Sequence, residues 1–237
     1  MAIKEDDALK AEVLEIFSSI QGEGPFIGVK QIFIRFAACN MNCRFCDLER
    51  ILPPKIFSVD KITSIVKQLA YNCGEHHSVS LTGGEPLLSK EFIKELIPKL
   101  KQMEFKIYLD RNATLPESLA EVIDLVDIVA ADFKLPSSTG EREYWAEHKE
   151  FITIAKAKNC FIKVVVTNET KESDFLRAVD IVSDVDRNML MIIQPVSPVR
   201  DIERTRTKLL FDLLFIAEKK LSNVRIMPQM HKVLGVR

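Results

Sequence analysis

The sequence contains no apolar stretch of transmembrane length, so no membrane-spanning helix is expected. Neither sign of charge is in excess: 33 basic residues face 34 acidic ones, a net charge of −1. Nothing in that balance argues for a nucleic-acid or lipid-facing surface. The first residues, Met1-Ala2-Ile3-Lys4-Glu5-Asp6-Asp7, lack the pattern of a secretory signal. The expected location is the cytoplasm, where thiols stay reduced. Long Gly/Ser linkers and internal repeats are missing too, and only Pro53-Pro54 breaks the chain before its first long helical pattern. With 237 residues, 47% of them hydrophobic, a single domain over 1–237 with one sizeable core is expected.

Cysteine is scarce, five residues in all. Three of them, Cys39, Cys43 and Cys46, fall in the run Cys39-Asn40-Met41-Asn42-Cys43-Arg44-Phe45-Cys46, directly after the apolar run 31–38. Thiolates spaced Cys-x3-Cys-x2-Cys on one loop can converge on one metal centre, and Fe–S clusters are held by such runs. A four-iron cubane on three thiolates keeps one iron open to a second molecule. A structural zinc knot is the alternative, but it ordinarily adds a second Cys or His pair. Here there is one Cys-x2-Cys pair, and the nearest following histidine is His76. Cys73 and Cys160 have no cysteine at ligand spacing and are expected to be packing residues.

Short apolar runs alternate with longer amphipathic stretches. Strands are expected at 13–17, 32–37, 78–81, 106–109, 128–131, 161–166, 189–194 and 224–226. Helical patterns lie between most of them, at 59–72, 90–103, 116–125, 141–158, 171–185 and 203–221. This alternation predicts an α/β fold with a parallel sheet and crossover helices. Polar motifs follow the strands: Cys39–Asp47, Thr82-Gly83-Gly84-Glu85-Pro86, Asp110-Arg111-Asn112, Asp132-Phe133-Lys134, Thr167-Asn168 and Gln194-Pro195-Val196-Ser197. In (β/α) barrels the chemistry gathers at those carboxyl ends. Gly83 and Gly84 permit close backbone approach, and Glu85 adds a carboxylate.

The cysteine spacing, the preceding strand, Phe45 before the last cysteine and the Gly-Gly-Glu string together resemble the radical S-adenosylmethionine (SAM) family. That resemblance implies an incomplete (β/α) barrel of the radical SAM type. It also implies a 4Fe–4S cluster on Cys39, Cys43 and Cys46, with SAM chelated to the open iron. Glu85 would hold the SAM amino group. Phe45, Cys46, Asp47, Gly83, Gly84, Asp132, Phe133, Lys134 and the segment Gln194, Pro195, Val196 and Ser197 would contact the rest of SAM. No side chain is assigned a catalytic role beyond the cluster and SAM.

Two further segments resemble one branch of that family, whose members rearrange a carboxylated tetrahydropterin into a deazapurine. One is Ser19-Ile20-Gln21-Gly22-Glu23-Gly24-Pro25; the other is the tail Pro228-Gln229-Met230-His231-Lys232, followed by five residues to Arg237. The resemblance implies that an N-terminal segment (about 13–30) and the tail (about 224–237) complete the site. Ile20, Gln21, Gly22, Glu23, Arg35, Thr82, His231 and the Arg237 carboxylate would then contact the pterin. A flavodoxin or ferredoxin would supply electrons, and the chain would form a homodimer. The branch usually has Thr after Cys-Asp, with its oxygen on a magnesium ion. This chain has Cys46-Asp47-Leu48-Glu49, and Leu48 offers no oxygen, so Mg2+ would either be held by substrate oxygens, water and a carboxylate such as Asp47 or Glu49 or be absent. A glycyl-radical activase shares the cluster motifs and stands as the rival reading.

Overall fold

The computed structural model describes residues 9–48, 53–199 and 201–236. Strand β1 (Lys10–Ile20) turns back through a short loop into β2 (Lys30–Phe36), and the two pair antiparallel. From β3 (Lys55–Ser58) onward the chain alternates strand and helix. The further strands are β4 (Ser78–Gly83), β5 (Lys106–Arg111), β6 (Ile128–Phe133), β7 (Asn159–Val166), β8 (Met191–Pro195) and β9 (Val224–Ile226). They form one nine-stranded sheet in the order β3-β1-β2-β4-β5-β6-β7-β8-β9, parallel from β2 to β9 and not closed between its ends. The helices are α1 (Val59–Cys73), α2 (Lys90–Gln102), α3 (Pro116–Val122), α4 (Pro136–Thr139), α5 (Trp145–Ala155), α6 (Glu172–Asp186), α7 (Thr207–Glu218) and α8 (Met230–Leu234).

Alternation along each strand sorts side chains onto two faces. Leu109, Val129, Ala131, Ile162, Val164 and Ile193 join helix residues such as Ile93, Leu96, Phe151 and Phe175 in the main core. Their neighbours Tyr108, Ile128, Ala130, Phe161 and Ile192 form a second apolar layer on the concave side. Phe26, from the loop between β1 and β2, closes that layer, with its ring edge-on to Tyr108 at 5.8 Å. Further along the same strands the concave positions become polar: Asp110, Asp132, Lys163 and Gln194. The sheet thus plugs one end of its lumen with hydrocarbon and leaves the carboxyl end for chemistry.

Several boundaries differ from the sequence reading. Four-residue β3 follows Pro53-Pro54 and pairs with β1 at the sheet edge; it is mostly exposed and lacks the apolar run that announces a buried strand. The helix expected over 141–158 begins only at Trp145, after the single turn α4 and the left-handed Gly140. The one expected over 203–221 spans Thr207–Glu218. The tail adds the short α8, capped by Gly235 at φ 65°. Cys73, expected to pack, is exposed at the end of α1, whereas Cys160 lies on β7 against the main core.

Candidate active site

The loop after β2 carries the three cysteines, and neighbouring backbone fixes its course. β4 runs beside β2 in parallel register, with Arg35 opposite Thr82 and Phe36 opposite Gly83. Just beyond, Gly84 N–H donates to the Phe36 carbonyl at 2.9 Å and Glu85 N–H to the Ala38 carbonyl at 2.7 Å. A Cβ at Gly84 would stand 2.0 Å from the Ala38 oxygen, and Gly83 has φ 108° with the Phe36 oxygen 2.3 Å from its Cβ position. The two glycines therefore let the β4 turn lie against the chain entering Cys39. Asn112 Nδ2 donates to Asn40 Oδ1 at 2.7 Å, Asn40 Nδ2 to Thr114 Oγ1 at 2.9 Å, and Arg44 N–H to the Thr139 carbonyl at 2.9 Å.

Glu85 takes a different place from the one expected. It is 1% exposed and does not line the cavity; its carboxylate accepts from the amides of Leu87 (3.0 Å) and Asn112 (2.9 Å). Its reason for being there is the turn: it ties β4, the cluster loop and the end of β5 together. Burial pushes it up to about 7, against the nearby Arg111 charge and the two amides.

Cys39, Cys43 and Cys46 all line one cavity of about 460 Å³ at the carboxyl ends of the strands. Among the described residues no group of three His, Cys, Asp or Glu side chains is drawn together around a single ion. Three cysteine thiolates with no second Cys or His pair beside them suit a multi-iron cluster better than one structural zinc. Burial pushes the Cys43 thiol up to about 11 and raises Cys39 as well. Ligating thiolates there need the positive charge of iron beside them. The donor set fits a 4Fe–4S cluster with one iron open.

Most of the residues expected at SAM line the same cavity: Phe45, Cys46, Asp47, Gly83, Gly84, Asp132, Lys134, Gln194, Val196 and Ser197. Phe133 and Pro195 do not; Phe133 belongs to the helix-side core, stacked on His148 at 4.4 Å. Lys134 Nζ lies 2.8 Å from Asp132 Oδ2 and over the Phe45 ring. Burial opposes its charge, but Asp132 and Cys43 outweigh it and hold the ammonium above its usual range. Asp132 Oδ1 and Gln194 Oε1 are buried without a partner among the described residues. Both are acceptors that a donor-bearing ligand would satisfy.

The residues expected at the pterin gather at the same cavity. Ile20, Gln21, Gly22, Glu23, Arg35, Thr82 and His231 all line the cavity. At the end of the tail Val236 lines the wall, and Arg237 lies outside the described residues. Met230 N–H donates to the Gly22 carbonyl at 2.8 Å, and the His231 ring occupies the space a Cβ at Gly22 would need. Burial lowers His231. Arg35 pairs with Glu15 at 2.8 Å and sits over Phe17.

Asp47, expected near magnesium, instead meets Lys232 at 3.1 Å, Leu48 lines the wall with methyl groups, and Glu49 lies outside the described residues. The described residues do not make a magnesium site. The sequence reading also missed Lys163, whose ammonium meets Glu23, Asp110 (3.6 Å) and Asp132 (3.3 Å). The available signal was a lone charge inside the apolar run 161–166.

A three-cysteine loop on an open, mostly parallel α/β sheet is the architecture of a known class. Residues 33–182 match the model of the Radical SAM superfamily, and the chain belongs to it. Within that class it is 35% identical to the 7-carboxy-7-deazaguanine synthase of Geobacter sulfurreducens, covering 95% of this chain and 97% of the relative. It is 33% identical to the enzyme of that name from Methanothermobacter thermautotrophicus, covering 97% and 99%. QueE from Escherichia coli has the same fold, with a TM-score of 0.63 at 19% identity over 94% of this chain and 95% of that one. The chain is a member of the 7-carboxy-7-deazaguanine synthase family.

Proposed function

We propose that the chain converts 6-carboxy-5,6,7,8-tetrahydropterin to 7-carboxy-7-deazaguanine, a step towards queuosine, archaeosine or another 7-deazapurine. One observation carries the reading: a single cavity is lined by the cluster loop, by segment 20–23 and by the tail. When bound, the cluster and SAM supply a one-electron cleavage that yields a hydrogen-abstracting radical. The chain's own residues bind and orient. Lys134 offers an ammonium to the SAM carboxylate, and Gln194 Oε1 and Asp132 Oδ1 accept from its amino groups. Arg35 spends one nitrogen on Glu15 and has further N–H donors for the substrate carboxylate. Gln229, His231 and Lys232 hold the tail across the opening, which excludes water from a reactive radical.

The same closure separates this reading from the activase. A tail seated on Gly22 narrows the cavity on the substrate side, which suits a small molecule better than a protein loop. We also place the enzyme in the cytoplasm, as a homodimer reduced by a flavodoxin or ferredoxin. The test is anaerobic incubation of reconstituted protein with SAM, dithionite and the carboxylated pterin. The deazaguanine acid is expected by mass; SAM cleavage without it would overturn the substrate.

A further inference from the structure

Lys163 is 6% exposed, yet its ammonium is surrounded by carboxylates from three separate elements. Glu23 reaches it from the N-terminal segment, Asp110 from β5 at 3.6 Å and Asp132 from β6 at 3.3 Å. A buried ammonium and buried carboxylates each depend on the other, because removing one side leaves uncompensated charge. The carboxylates keep accepting capacity beyond this contact. Glu23 Oε1 takes one bond from Gln229 Nε2 at 2.7 Å. Among the described residues Asp110 Oδ2 accepts a long 3.3 Å bond from Thr82. Each ionised carboxylate has about four lone-pair sites. Glu23 and Asp110, both in the cavity lining, thus keep accepting capacity beside Lys163, and a ligand face seated against them would supply donors.

We propose that Lys163 is a specificity-determining residue: by holding Glu23 and Asp110 together as ionised acceptors, it makes this wall select the donor edge of a 2-amino-4-oxopyrimidine. The inference rests on the pterin reading above. That edge presents a ring N–H and an amino group. A 2-oxo analogue replaces the amino donor with a carbonyl, which sets oxygen against carboxylate. Without the ammonium, three carboxylates share one wall. Like charges so close cannot all stay ionised, and a carboxyl that takes up a proton becomes a donor itself. The preference for the amino compound then falls.

The experiment measures equilibrium binding of 6-carboxytetrahydropterin and its 2-oxo counterpart, 6-carboxytetrahydrolumazine, to cluster-reconstituted protein with SAM present. Wild type should prefer the pterin by at least about a hundredfold, since the 2-oxo compound sets a carbonyl against buried carboxylates. Lys163→Met, measured at saturating SAM, should cut that preference to under about tenfold. Glu23→Gln, which leaves the lysine in place, should also cut it and serves if Lys163→Met does not fold. Equal weakening of both compounds, or an unchanged preference in both variants, overturns the proposal. A wild-type protein that binds neither compound overturns the substrate assignment, and this inference with it.

Discussion

Lys232 Nζ stands 3.1 Å from Asp47 Oδ2, which ties the tail to the residue that follows the last cluster cysteine. Both side chains are nearly half exposed, so the pair adds at most about 1 kcal/mol to stability. Its consequence lies elsewhere. With Met230 on Gly22 and Gln229 on Glu23, it holds the tail against the cavity wall.

Lys232→Met should therefore leave Tm almost unchanged and raise KM for the carboxylated pterin several-fold. SAM cleavage uncoupled from product should increase, since the tail no longer seals the substrate side. Steady-state kinetics with product and 5′-deoxyadenosine counted separately will show it. A large fall in Tm with unchanged coupling would mean the tail is only a structural strap.

Replacing Cys39, Cys43 or Cys46 by Ala should abolish the visible absorption of the cluster and lower bound iron, because each lines the same wall. Cys73→Ala should change nothing, as that residue is exposed at the end of α1. Cys160→Ala should keep iron and lower stability by about 1 kcal/mol through lost packing. Iron loss in either of the last two variants, with the fold intact, would reassign the ligands.

Glu85 acts on the backbone. Glu85→Gln leaves one of two amide donors without its acceptor and should cost about 1–3 kcal/mol. Its carboxyl is raised from 4.5 to about 7 by burial, so the folded state binds the proton more tightly than the unfolded one. The stability it contributes is full below about 4.5 and is lost as pH rises through about 7. Glu23 works oppositely: burial raises it, but Lys163 and Gln229 bring it down to about 2, so its contribution is lost as pH falls from 4.5 towards that value. Melting curves of wild type and Glu85→Gln should therefore converge as pH rises from 5 to 8. Weaker SAM binding with unchanged melting at every pH would instead place the Glu85 side chain at the SAM amino group.

The strands and cluster loop were legible because their signals are local. Apolar runs such as Ile128-Val129-Ala130-Ala131 mark strands buried on both faces, and three cysteines in eight residues announce themselves. What stayed hidden depends on which elements meet. Nothing near Glu85 says that the Asn112 amide comes to its carboxylate from 27 residues away, and nothing near Asp47 names Lys232. Lys163 was half legible: a charge in an apolar strand is odd, but its three acidic partners come from two neighbouring strands and the N-terminal segment, distant in sequence. β3 was illegible because an exposed edge strand needs no hydrophobic pattern.

Magnesium offers the sharpest remaining test. The ion prefers near-octahedral oxygen ligands and keeps several waters. Leu48 presents methyl groups where the resemblance led to a threonine oxygen, and the Asp47 carboxylate is already engaged by an ammonium. A divalent ion there would have to displace Lys232 and rely on substrate oxygens for the rest of its shell. Chelator-treated enzyme with its cluster intact should therefore keep its rate without added magnesium. The double variant Lys232→Met with Leu48→Thr frees a carboxylate and adds a hydroxyl, so its KM for the pterin should fall when magnesium is supplied. A tenfold or greater loss in stripped wild type, restored by magnesium alone, would show that substrate oxygens and Asp47 build the ion's site despite the lysine.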